Sequence, residues 1–182
     1  HNELKRLETI LKWASPAKAE SVKPKGEILV VTESIFSMDG GAAPLRKIVT
    51  LKENYGAWLM VDEAHATGLY GANRRGLAEQ LGVSDCIEIQ MGTLGKAAGV
   101  AGAFVAAHPV VIESLVQNAC PYIYTTATPP LLAQALSTSL AVICDDHVRR
   151  AALRTRIPHL RAGAAALPWL CRPSLTCSHP RG

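Results

Sequence analysis

Short apolar runs alternate along this chain with stretches whose apolar residues recur every three or four positions. Residues 27–31 (Glu-Ile-Leu-Val-Val) and 57–61 (Ala-Trp-Leu-Met-Val) are too short for helices and read as buried strands. Between them Leu45, Ile48, Val49 and Leu51 mark one face of a helix, opened by Pro44 in its first turn and closed at Tyr55-Gly56. Strand, helix, strand at this spacing predicts a parallel βαβ unit. The apolar runs at 86–91 and 102–106 read as two further strands, with a short helix at 77–81 before the first of them. Apolar-faced helices are predicted at 109–118 and 130–143, on either side of Tyr-Ile-Tyr-Thr-Thr at 122–126.

The ends of the chain read differently. Asn2 is placed to cap a helix with the face Leu4, Leu7, Ile10 and Leu11, ending before Ser15-Pro16. A polar connector follows at 18–25. Beginning on a helix, with no strand before it, leads to the expectation that the chain is cut from something longer. From 145 to 167 an Ala/Arg-rich pattern predicts a long helix with a kink or break at Pro158, and the last dozen residues show no periodicity.

Composition narrows the class. Of 182 residues 48% are hydrophobic and 19% charged, a balance for a folded core rather than disorder. No apolar run has the length of a membrane span and the start lacks a signal-peptide layout, so a cytoplasmic protein is expected. The net charge of +4 comes mostly from arginines after residue 145. They follow a helical pattern without interleaved aromatics, which reads as a solvated helix face and not a nucleic-acid site. Cys86, Cys120, Cys144, Cys171 and Cys177 are odd in number and form no CxxC pair, as expected of reduced thiols.

Candidate chemistry centres on Lys96, held between glycines in Gly-Thr-Leu-Gly-Lys-Ala-Ala-Gly at 92–99. An amine at the end of a buried strand would be partly desolvated, which lowers its pKa and exposes the nucleophilic form that a Schiff-base lysine needs. A lysine after a glycine is also an ordinary loop residue. A Walker phosphate loop fails on this stretch, because Gln90 stands where its first glycine belongs and Ala97 where Ser or Thr belongs.

In parallel sheets ligands bind beyond the carboxyl ends of the strands, where Ser37, Asp62, His65 and Lys96 all fall. Around a pyridine aldehyde, Lys96 would bond the aldehyde carbon and Asp62 would keep the ring nitrogen protonated. His65 would reach the phenolic oxygen and Thr93 the phosphate. Each also has a plainer reading: Asp62 as a helix cap, His65 as a packed surface residue, Thr93 as a turn residue. The Asp-Glu-Ala-His string also occurs in helicases, but that use needs the Walker loop just rejected.

Three segments carry a resemblance. Thr-Glu-Ser-Ile-Phe-Ser-Met-Asp-Gly at 32–40, Val-Asp-Glu-Ala-His-Ala-Thr-Gly at 61–68 and Gly-Thr-Leu-Gly-Lys-Ala at 92–97, in this order and spacing, resemble the α-oxoamine synthases. The resemblance covers about residues 1–170. It implies an α/β fold, the pyridoxal-phosphate-dependent transferase fold type I, with a mostly parallel sheet and flanking helices. It implies residues 1–144 as the central part of the large cofactor-binding domain, 145–170 as the helix leading toward a small domain, and 171–182 as a ragged end. The cofactor would be pyridoxal 5'-phosphate, held by Lys96, Asp62, His65, Ser37 and Thr93, with Glu33 near the centre and Lys96, His65 and Asp62 catalytic. The family's upstream stacking histidine and glycine turn would precede residue 1. Residues 98–103 and 122–130 point within the family to L-alanine and a pimeloyl thioester, on coenzyme A or acyl-carrier protein, as substrates of a homodimer. Glycine with acetyl-coenzyme A, as in a ketobutyrate ligase, and a non-catalytic fragment are the alternatives.

Overall fold

The computed structural model describes residues 2–15 and 26–164. One sheet runs in the order β1 (Leu29–Glu33), β2 (Trp58–Asp62), β3 (Ile89–Thr93) and β4 (Ala103–Ala107). The first three strands are parallel and β4 returns antiparallel beside β3. This is the mostly parallel α/β sheet with flanking helices that the sequence implied.

The crossover from β1 to β2 is α2 (Leu45–Tyr55), which stops where Gly56 turns left-handed at φ 61 and its N–H bonds the carbonyls of Glu53 and Lys52. On its buried face Leu45, Ile48 and Val49 pack with Leu59 and Val61 of β2. Leu77 and Ala78 of α3 (Leu77–Leu81), with Val83 and Ile87, close the same cluster. Full burial of side chains such as Leu59 and Val61 contributes about 1.5–3 kcal/mol each. Helix α1 (Leu4–Ala14) lays Leu4 and Leu7 against this core and buries Leu11.

The opposite face of the sheet is open. A strand period of two puts Leu29, Val31 and Glu33 on that face, in register with Trp58, Met60 and Asp62. Ile89 pairs with Met60 and Met91 with Asp62, which brings Thr93 to the same side. Leu29 is 49% exposed, Val31 61% and Trp58 40%, so the strands read as buried are covered on one face only.

Local expectations were met unevenly. Helix α3 and α4 (Pro109–Asn118) occupy the predicted positions. Asn2 does not cap α1: Glu3 stands at the cap without a side-chain bond, and the Asn2 amide donates instead to the Ala42 carbonyl at 3.4 Å. Strand β1 begins at Leu29, two residues later than predicted, and the aromatic stretch after α4 contains an unforeseen turn of helix, α5 (Cys120–Ile123). Helix α6 (Pro130–Asp145) runs slightly past its predicted end. Helix α7 (His147–Ala164) continues through Pro158, so of the expected kink or break there is no break. The connector at 18–25 and the stretch from 165 onward lie outside the described residues.

Between α2 and the start of β3, Lys52 is buried and donates to Glu88 Oε1 at 2.6 Å, while Glu88 Oε2 accepts the Leu59 amide at 2.7 Å. Burial alone would raise the Glu88 carboxyl. The bonds from Lys52 and from the amides of Leu59 and Glu88 itself, with the Lys52 charge, outweigh it and hold the group below its ordinary 4.5. A depressed carboxylate stabilises the fold fully above the unfolded value, and that contribution disappears as pH falls through the folded one. Glu88→Ala should therefore cost about 2 kcal/mol in urea denaturation at pH 7, the range for stranding a buried donor, since it leaves the Lys52 ammonium unpaired. The difference from the parent protein should shrink below pH 4.5.

Candidate functional site

The parallel register gathers the candidate residues at one rim. Glu33 ends β1 directly beside Asp62, which ends β2, and Met91 of β3 pairs with Asp62 two residues before Thr93. Beyond Asp62 the chain turns sharply: its Oδ1 accepts the Ala64 amide at 2.7 Å, and the Glu63 carbonyl accepts the amides of Ala66 and Thr67. His65 lies in that turn, just past the end of β2.

Lys96 sits in a closed loop. The Leu94 amide bonds the Gly102 carbonyl and the Val100 amide the Leu94 carbonyl, both at 2.9 Å, so the loop returns on itself around the lysine. The Thr93 hydroxyl accepts the Gly95 amide at 3.2 Å and donates to Gly102 at 3.3 Å. From α6, the Ser139 hydroxyl donates to the Ala98 carbonyl at 2.6 Å. Gly68 closes the His65 turn at φ 84, and a Cβ there would lie 2.8 Å from the Ala97 Cβ. Only a glycine lets the two loops approach this closely.

Electrostatics record the convergence. Burial pulls the half-buried His65 imidazole below its ordinary 6.5, the Lys96 charge pulls it further down, and the carboxylates of Glu33 and Asp62 oppose both. Lys96, Glu33 and Asp62 thus all act on one ring, which stays neutral at pH 7. Ser37 is exposed on the loop after β1, its amide donating to Glu33 Oε2 at 3.1 Å, and is not among the groups that shift His65. Lys96 is also exposed, so the desolvation expected from its strand-end position is not supplied by the described residues.

One residue escaped the sequence reading. Glu63, in the middle of the Asp-Glu-Ala-His string, is 2% exposed and accepts the amides of Leu77 at 3.0 Å and Ala78 at 2.7 Å. The signal was present in kind, a carboxyl group inside an apolar segment, but its partners lie 14 and 15 residues away.

The sequence matches the family described as aminotransferase class I and II over residues 1–178. It is 52% identical over 158 residues to the 8-amino-7-oxononanoate synthase of Cupriavidus taiwanensis, and 50% identical over 154 residues to that of Janthinobacterium sp.. Both matches cover 84% of the chain but 39% of the relative, so the chain spans about two fifths of the length of these proteins. Among solved structures, a serine palmitoyltransferase from S. paucimobilis with a bound PLP–myriocin aldimine superposes with a TM-score of 0.84 at 31% identity, over 98% of this chain and 44% of that one. An 8-amino-7-oxononanoate synthase from Francisella tularensis gives 0.76 at 30% identity, over 98% and 48%. No helix among the described residues is long and apolar enough to cross a membrane.

The opposed charges around His65 make a checkable statement. In cofactor-free protein, the His65 imidazole should titrate by NMR with a midpoint below 6.5. Lys96→Ala should move that midpoint up and Asp62→Asn should move it further down.

Proposed function

Because the chain belongs to the aminotransferase class I and II family, we propose that it forms the central part of a pyridoxal 5'-phosphate site. The reaction we assign is the condensation of L-alanine with a pimeloyl thioester to give 8-amino-7-oxononanoate, the product named in its relatives. The observation that carries this reading is the single rim at which the register places Glu33 and Asp62, with His65 in the turn just past β2 and the Lys96 loop leaving the adjacent β3. A neutral imidazole, a carboxylate with Oδ1 already committed to the Ala64 amide, a hydroxyl at Thr93 and a primary amine fit the polar groups of that cofactor.

When bound, pyridoxal phosphate supplies an aldehyde carbon for amines and a ring that accepts electrons. Lys96 Nζ would hold that aldehyde carbon and, once free of it, would serve as the base for the alanine Cα proton. A general base of this kind contributes typically ~10²–10⁴-fold. Asp62 would hold a proton on the ring nitrogen, His65 and Ser37 would bind the ring oxygen, and the Thr93 hydroxyl would turn from Gly102 to the phosphate. The condensation would join alanine Cα to the thioester carbonyl carbon, release the thiol and carbon dioxide, and return one proton to the carbon that lost the carboxylate. The carrier is coenzyme A or acyl-carrier protein, and the assembly is a cytoplasmic homodimer whose second copy covers apolar side chains exposed on α4 and α5, such as Val110 and Tyr122.

Borohydride treatment of the protein with pyridoxal phosphate, followed by peptide mapping, should place the label on Lys96. A label on another lysine defeats the assignment. Asp62→Asn should keep that label but slow the exchange of the alanine Cα proton for deuterium. Losing a charge-assisted hydrogen bond costs ~1.5–3 kcal/mol, about one to two decades of rate.

A further inference from the structure

Glu63 lies between two proposed site residues and has every polar group engaged. Its amide donates to Met91 of β3 at 2.8 Å, and its carbonyl accepts the amides of Ala66 and Thr67 at 2.8 Å and the Thr67 hydroxyl at 3.0 Å. Its carboxyl oxygens accept Leu77 and Ala78, the first two residues of α3. Space around it is closed as well, since a Cβ on Gly76 would stand 2.5 Å from Glu63 Cδ. Asp62 and His65, by contrast, are only half-buried.

The division of labour has a physical reason. A turn that presents two polar side chains to a ligand cannot bury them, so it must be anchored by something else. A fully buried carboxyl group bonded to two helical amides is a strong anchor, because leaving either amide without an acceptor is costly in a buried place. Through the Met91 bond the same residue also ties the turn to the strand that leads into the Lys96 loop.

We propose that Glu63 is a positioning residue for the cofactor site: by clamping the 62–67 turn to α3 and β3 it fixes where the Asp62 carboxylate and the His65 ring stand relative to Lys96. This rests on the reading of the site given above. Glu63 makes no contact with substrate or cofactor, and its effect passes through its neighbours.

Glu63→Gln keeps the volume but faces an amide donor toward the N–H of Leu77 or Ala78. The test compares cofactor-loaded wild type with Glu63→Gln, Thr67→Val and the remote control Glu88→Gln. Thr67→Val removes only the hydroxyl that bonds the Glu63 carbonyl. Readouts are affinity for pyridoxal phosphate, the pH midpoint of the visible absorbance of the bound cofactor, and kcat against KM for alanine Cα exchange. A displaced site group typically costs up to ~10²-fold in rate, so Glu63→Gln should lower kcat about 10- to 100-fold, shift the absorbance midpoint and change KM less. Thr67→Val should shift the midpoint in the same direction by a smaller amount. Glu88→Gln should lower the melting temperature and leave the absorbance profile as in wild type. If Glu63→Gln matches wild type in profile and kcat and loses stability alone, or if it does not fold and Thr67→Val matches wild type, the proposal is overturned. Failure of wild type to take the label on Lys96 defeats the reading of the site itself, and this inference with it.

Discussion

Parallel pairing of β1 with β2 in the register Glu33 to Asp62 is the constraint from which the site follows. Parallel strands deliver their last residues to a single rim, and the crossover helix must lie on a face, so the rim stays accessible. A slip of one residue would turn Asp62 toward the core face and Val61 toward the open one. The apolar cluster forbids that slip, because Leu59 and Val61 are fully buried against α2. The hydrophobic core thus sets the direction in which the carboxylate points.

Register alone leaves the two loops free to drift, and separate devices hold them. The His65 turn is tied down through Glu63, while the lysine loop is closed by its own backbone bonds and by Ser139 of α6. The loops meet where Gly68 approaches Ala97. A side chain at either 68 or 76 would push directly on one of these anchors, which explains why glycines stand beside the polar groups in this segment.

Sequence reading succeeded where the cause is local. Pro44 and Tyr55-Gly56 bracket α2, the apolar runs give the strands within three residues, and strand ends carry Asp62 and Thr93. It failed where the cause is distant. The partner of Asn2 is Ala42, those of Glu63 are Leu77 and Ala78, and Arg74 meets His147 from 73 residues away, all contacts that no local pattern announces. Strand burial turns on the same distinction. An apolar run states that a surface is suited to cover, not that the cover is in place, and Val31 and Trp58 are exposed. The solved relatives bear out the cofactor that the three motifs implied, since one of them carries PLP in its aldimine.

Lys96 shows that placement and reactivity are separate problems. The chain places the amine by backbone geometry: a loop closed on Gly102, a hydroxyl from Thr93 under Gly95, and a bond from Ser139 to the residue two beyond the lysine. None of these touches the side chain, which remains exposed. An exposed amine keeps a freedom to swing that a deeply buried one would lose. Electrostatic influence still reaches across the gap, because the Lys96 charge helps keep His65 neutral. Any change in the charge at Lys96 would therefore be felt at His65, so the two groups are coupled across the rim.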